Sequence, residues 1–128
     1  MLEALKWEKA DLESLKGQPE SLRMEFKSSR LMENDQNKVK DELTKVVTAF
    51  ANTEGGVLII GIEEEKLEKT RVAKGLDSGI ELKKFSPEWI GSIIENNISP
   101  PLTGMRVRRV MINETHYACV IVVQPGTT

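Results

Sequence analysis

The alternation of apolar and polar residues changes rhythm several times along the chain, and each change marks an element. From Lys38 to Asn52 the apolar positions are Val39, Leu43, Val46, Val47 and Phe50, the spacing of an amphipathic helix. The chain then reverses through Gly55-Gly56 and runs from Val57 to Ile62 with no polar side chain, which predicts a strand covered on both faces. That run opens directly onto Glu63, Glu64 and Glu65. The stretch from Ala49 to Glu64 is therefore the expected centre of the fold.

Around it, Ser21 to Ser28 alternates: Leu22, Met24 and Phe26 share one face, Arg23, Glu25 and Lys27 the other. This predicts an edge-type strand with one wet face. Residues 2–16 carry Leu2, Leu5, Leu12 and Leu15 near one stripe, closed by Gly17 and Pro19, and predict one packing or dimerisation helix. Asn34 or Asp35 is placed to cap the 38–52 helix. Glu65 to Thr70 predicts a turn, followed by a short strand over 71–76. Ser86-Pro87-Glu88 predicts the start of a helix over 87–97 with Trp89, Ile90, Ile93 and Ile94 inward. Residues 105–112 and 116–123 predict a terminal hairpin, its second arm central. The expected core comprises Leu22, Met24, Phe26, Leu43, Val47, Phe50, Leu58, Ile60, Ile90, Ile94, Val120 and Val122. The fold class is α+β: a mixed, mainly antiparallel sheet with helices packed against it.

Composition narrows the function. The 128 residues fit one domain, and a net charge of −2 gives no global field toward nucleic acid or membrane, so any electrostatic footprint is local. Cys119 sits in an apolar run, so the fold does not rest on disulfides, which suits a cytoplasmic setting. No apolar run approaches a membrane span. Phosphate-loop motifs and a GxSxG elbow are absent, and one histidine with one cysteine cannot make a zinc site.

What remains is charge in particular places. Glu25 and Lys27 share the wet face of one strand, a pairing that a solvated surface also explains. Lys38, Lys40 and Lys45 lie off the apolar stripe of their helix. Arg106, Arg108 and Arg109 form the densest basic cluster. They read equally as blunting an edge strand or as a ribbon that contacts phosphates. The aromatic residues mostly sit on apolar faces, which argues against base stacking as the main binding mode.

Glu20-x-x-x-x-Glu25-Phe26-Lys27, the helix ending AFANTEGG, the strand VLIIGIEE and the later ISPPL together resemble the Schlafen-type Alba-like DNA-binding domain, also described as a divergent AAA-type domain. The resemblance covers about residues 20–124, dividing the chain into an N-terminal helix (1–17) and the domain proper (18–128). It implies a nucleic-acid-binding module, DNA- or RNA-binding, of the kind found in transcriptional regulators, contacting the backbone through Lys27, Arg30, Lys38, Lys45, Arg106, Arg108 and Arg109. The Schlafen branch further implies a three-carboxylate endoribonuclease site. Carried over, its residues are Glu20, Glu25 and Glu64, with Lys27 beside the scissile phosphate, and Mg²⁺ or Mn²⁺ suits those hard oxygen ligands. Two departures stand out. Glutamates occupy 63–65 where the family pattern has GVDD, and Glu20 precedes the strand, so a bend must carry it to Glu25. Schlafens enclose RNA with two lobes and this chain has one. A homodimer through the N-terminal helix, or a regulatory or dimerisation module within a longer protein, is the remaining expectation.

Overall fold

A computed structural model describes residues 2–126. Its strands are β1 (Met24–Lys27), β2 (Gly56–Ile60), β3 (Ile62–Leu67), β4 (Thr70–Leu76), β5 (Ile80–Glu81), β6 (Met105–Met111) and β7 (His116–Val123), and its α-helices are α1 (Lys9–Glu13), α2 (Gln36–Ala51) and α3 (Pro87–Glu95). β1 pairs parallel to β2, and β2 pairs antiparallel to β7. β6 runs antiparallel along the other side of β7, while β5 joins its first residues. The sheet is thus mixed and mostly antiparallel, as the sequence predicts. β3 and β4 form a separate two-stranded sheet.

β2 is buried along its whole length, and its alternate residues feed two cores. Leu58 and Ile60 meet α2 and α3 on one face, joined by Leu43, Val47, Phe50, Ile90 and Ile94. Val57 and Ile59 meet Phe26, Val120 and Val122 on the other, under the N-terminal segment and the β3–β4 sheet. The helix starts behave as read. Asp35 accepts from Lys38 N–H at 3.0 Å and Ser86 from Trp89 N–H at 3.1 Å. Gly55 (φ +83°) makes the reversal, and a Cβ on Gly56 would stand 2.5 Å from the Phe50 ring, so helix and strand touch backbone to ring.

The structure corrects three expectations. The single helix expected over 2–16 is a 3-10 turn, Leu2–Lys6, followed by α1. Glu8 lies extended between them, with its N–H on Asp11 Oδ2 at 2.7 Å, and the break lets Ala4 and Leu12 both bury on the sheet. Of the expected stripe Leu12 is buried, Leu5 and Leu15 are partly buried against the second core and Leu2 stays 53% exposed. Leu22 is 92% exposed, because β1 begins only at Met24 and Leu22 rides a tight turn closed by Ser21 N–H to Met24 O at 3.0 Å; Met24 itself is partly buried. Finally, the expected turn at 65–70 is mostly strand. Gly61 (φ +125°) swings the chain out of the main sheet, and Glu63, Glu64 and Glu65 enter β3, with the reversal at Glu68 (φ +58°).

Candidate functional site

The bend that Glu20 requires is present. Residues 17–20 run antiparallel beside β4, with Gly17 N–H donating to Ala73 O at 2.7 Å, Ala73 N–H to Gln18 O at 2.8 Å and Glu20 N–H to Arg71 O at 2.9 Å. The 21–24 turn then sends the chain back as β1. Glu20 Oε2 accepts from Phe26 N–H at 3.0 Å, which ties the incoming segment to the edge strand.

These elements wall a cleft of about 370 Å³ between α2, β1 and the β3–β4 hairpin. Glu20, Glu25 and Glu64 all line it, with Lys27, Glu42, Lys45 and Arg71. The face of β1 read as wet is in fact half covered by α2. There Lys27 Nζ lies 3.4 Å from Glu25 and 3.3 Å from Glu42. Burial lowers the proton affinity of this ammonium, but the two carboxylates outweigh it and hold Lys27 above the usual lysine range.

Glu64 is less solvated than Glu25 and Glu42, its side chain 16% exposed. Its Oε2 is buried with no hydrogen-bond partner among the described residues, and the Glu20 carboxyl lies within hydrogen-bonding reach. Two carboxylates cannot bond each other unless one carries a proton. Burial first, and then Glu20, push the Glu64 carboxyl up to about 7, against the pull of Arg71, 3.9 Å away, and of Lys27. The Glu64 carboxyl therefore keeps its proton up to near neutrality.

The expected metal set is not gathered. Among the described residues no three His, Cys, Asp or Glu side chains come together as a metal-holding group. Carboxylate oxygens are the right donors for Mg²⁺ or Mn²⁺, but Glu25 is engaged by Lys27 and Glu64 leans on Glu20. As they stand, these residues do not fit the ion.

The basic residues separate into distinct places. Lys27 and Lys45 line the cleft. Arg30 sits just beyond it, its guanidinium 3.3 Å from Glu63, and Lys38 is exposed on the first turn of α2. Arg106, Arg108 and Arg109 stand on β6, at the sheet edge opposite β1, and are not brought to the carboxylates. Arg106 and Arg109 are exposed on opposite faces of that strand. Arg108 is turned inward, donating to Trp7 O at 2.5 Å and Glu8 at 3.0 Å. Sequence reasoning missed Arg71 and Glu42. Glu42 lies one residue off the apolar stripe of α2 and four before Val46, a position that a helical wheel turns toward the edge strand; nothing local singles out Arg71.

A family model described as Schlafen, AlbA_2 matches residues 20–128. Among solved structures, the N-terminal domain of an ATP-dependent DNA helicase RecG-related protein from Nitrosomonas europaea, determined by solution NMR, shares the fold: TM-score 0.54 at 18% identity. That match covers 84% of this chain and 66% of the other, so the chain spans just under two thirds of its structural neighbour. No helix among the described residues is long and apolar enough to cross a membrane.

Proposed function

The chain belongs to the Schlafen AlbA_2 family, and from that membership we propose a nucleic-acid-binding domain whose mixed-charge cleft seats the phosphate backbone. The observation that carries this reading is the charge balance inside the cleft. Lys27 lies between Glu25 and Glu42, and with Glu64 protonated the cleft as a whole is balanced, its three remaining carboxylates matched by Lys27, Lys45 and Arg71, of which Lys45 and Arg71 are the outward cations. With so few phosphate contacts, affinity should be modest and salt-sensitive. Fluorescence anisotropy of a labelled oligonucleotide tests the reading. Lys45→Glu with Arg71→Glu should weaken binding by about tenfold or more, and Arg106→Glu with Arg109→Glu should change it less than about twofold. The opposite ranking would move the binding surface to β6 and retire the cleft.

A second reading, RNA phosphodiester cleavage, is favoured by the raised proton affinity of Glu64 inside the cleft. A carboxyl that titrates near 7 can take or give a proton at a reacting oxygen, and Lys27 beside it can offset charge on a phosphate. Incubation of structured RNA with and without Mn²⁺, using wild type and Glu64→Gln, decides this reading. Cleavage by wild type that is lost in the variant supports it, and intact RNA in every arm ends it.

A further inference from the structure

Two contiguous hollows lie apart from the acidic cleft and share no lining residue with it. One, of about 310 Å³, is lined by Phe85, Trp89, Lys84 and Glu33 and by the amides Asn34 and Gln36. The other, of about 170 Å³, holds Arg30, Lys84, His116, Glu33 and Glu81. Met32, Glu33, Lys84 and Phe85 belong to both, so the two form one groove with an aromatic end and a cationic end.

Its walls are fixed. Asp77 accepts from Ser29 N–H, Ser29 Oγ and Gly79 N–H, each at 2.8 Å, and from Ser28 Oγ at 3.2 Å, which pins the loop behind the cationic end. Phe85 O accepts from the buried Tyr117 hydroxyl. The Phe85 and Trp89 rings meet at 5.4 Å with a 46° tilt, and both are only partly buried.

From this arrangement we infer that the groove is a nucleotide subsite for an unpaired base of a single-stranded nucleic acid. The base lies against Phe85 and Trp89, whose faces accept any base. Asn34 Nδ2 is already on Leu31 O at 3.0 Å, which leaves its carbonyl oxygen, together with the Gln36 amide, to meet a base edge. The adjoining phosphate falls to Arg30 and Lys84. Glu33 and Glu81 offset those two cations, so the groove does not gather a polyanion by net charge and instead depends on the base. Arg30, on the wall of this groove, also pairs with Glu63 of β3 at 3.3 Å. The subsite rests on the nucleic-acid reading of the cleft and adds strand state and base contact to it.

The sequence carries only two tryptophans, Trp7 and Trp89, so Trp7→Phe leaves Trp89 as a single reporter. Four probes of equal length are titrated into that protein: single-stranded RNA, single-stranded DNA of the same sequence, their duplexes, and an abasic sugar-phosphate oligomer. Anisotropy reports binding and Trp89 emission reports the groove. Both single strands should quench Trp89, while duplex and abasic oligomer should not. Losing the bases should cost about tenfold in affinity, and the exposed change Lys84→Glu about fivefold. Quenching by only one of the two single strands would assign the groove to RNA or to DNA. Single strands that bind without quenching, or an abasic oligomer that binds as well as they do, would overturn the subsite and leave the cleft reading intact. No binding by any probe would overturn both.

Discussion

Glu64 concentrates the physics of the cleft in one residue. Its folded-state proton affinity is raised to about 7 from the ordinary carboxyl value of 4.5, so between those pH values the native state holds a proton that the unfolded chain gives up. Stability from this group is thus present at acid pH and lost as pH rises through about 7. The groups that set it are Glu20 from the 17–20 segment, Arg71 from β4 and Lys27 from β1, with Glu25, Glu42 and Lys45 farther round the same cleft. Glu64→Gln should match wild type near pH 5 and exceed it at pH 8 by on the order of 1–2 kcal/mol, less than a full shift because the cleft opens to water. Urea unfolding at the two pH values measures this, and a pH-independent difference would mean that Glu64 does not hold its proton toward neutrality. Lys27 is the complementary case. Its ammonium occupies the place between Glu25 and Glu42 that a metal would need. Wild type should therefore show no rise in Tm with millimolar Mn²⁺, whereas Lys27→Met should show one, because it releases both carboxylates. A rise of equal size in both proteins would place the metal elsewhere.

At the scale of elements, the strands and helices with strong periodicity were legible in the chain. α2, α3, β2 and the β6–β7 hairpin lie within about two residues of where their patterns put them, and Asp35 and Ser86 cap as their chemistry demands. Where legibility failed, a single backbone event decided. Gly61 takes Glu63 to Glu65 off the main sheet, and Glu8 interrupts the N-terminal helix. A residue pattern records which side chains want burial, but not that a glycine will be used to change direction. The joint between α2 and β2 is the most demanding packing point, since Phe50 lies on the bare Cα of Gly56. Gly56→Ala should cost about 2–3 kcal/mol as the ring is displaced. Thermal unfolding would show it as a lowered Tm, and an unchanged Tm would mean the ring yields freely.

The whole molecule explains why the candidate site was only half visible beforehand. Glu20, Glu25, Glu64 and Lys27 could be named from a resemblance, but their meeting depends on residues 17–20 pairing with β4, a contact across more than fifty residues that leaves no local signature. The arginines of β6 show the converse. Three basic residues in four looked like one patch, yet alternation along a strand divides them between two faces, and the N-terminal segment takes Arg108 for itself. That segment closes the second core with Ala4 and Leu12, and the proposed nucleic-acid surface is instead the cleft holding Arg71 and Lys45 together with the groove holding Arg30 and Lys84. The most direct test of that placement is amide chemical-shift mapping on ¹⁵N-labelled protein titrated with a single-stranded oligonucleotide. The account predicts perturbations in β1, the middle of α2, the β3–β4 hairpin and residues 30–36 and 79–89, with 2–16 and β6 unmoved. Shifts confined to β6 and the N-terminal segment would contradict it.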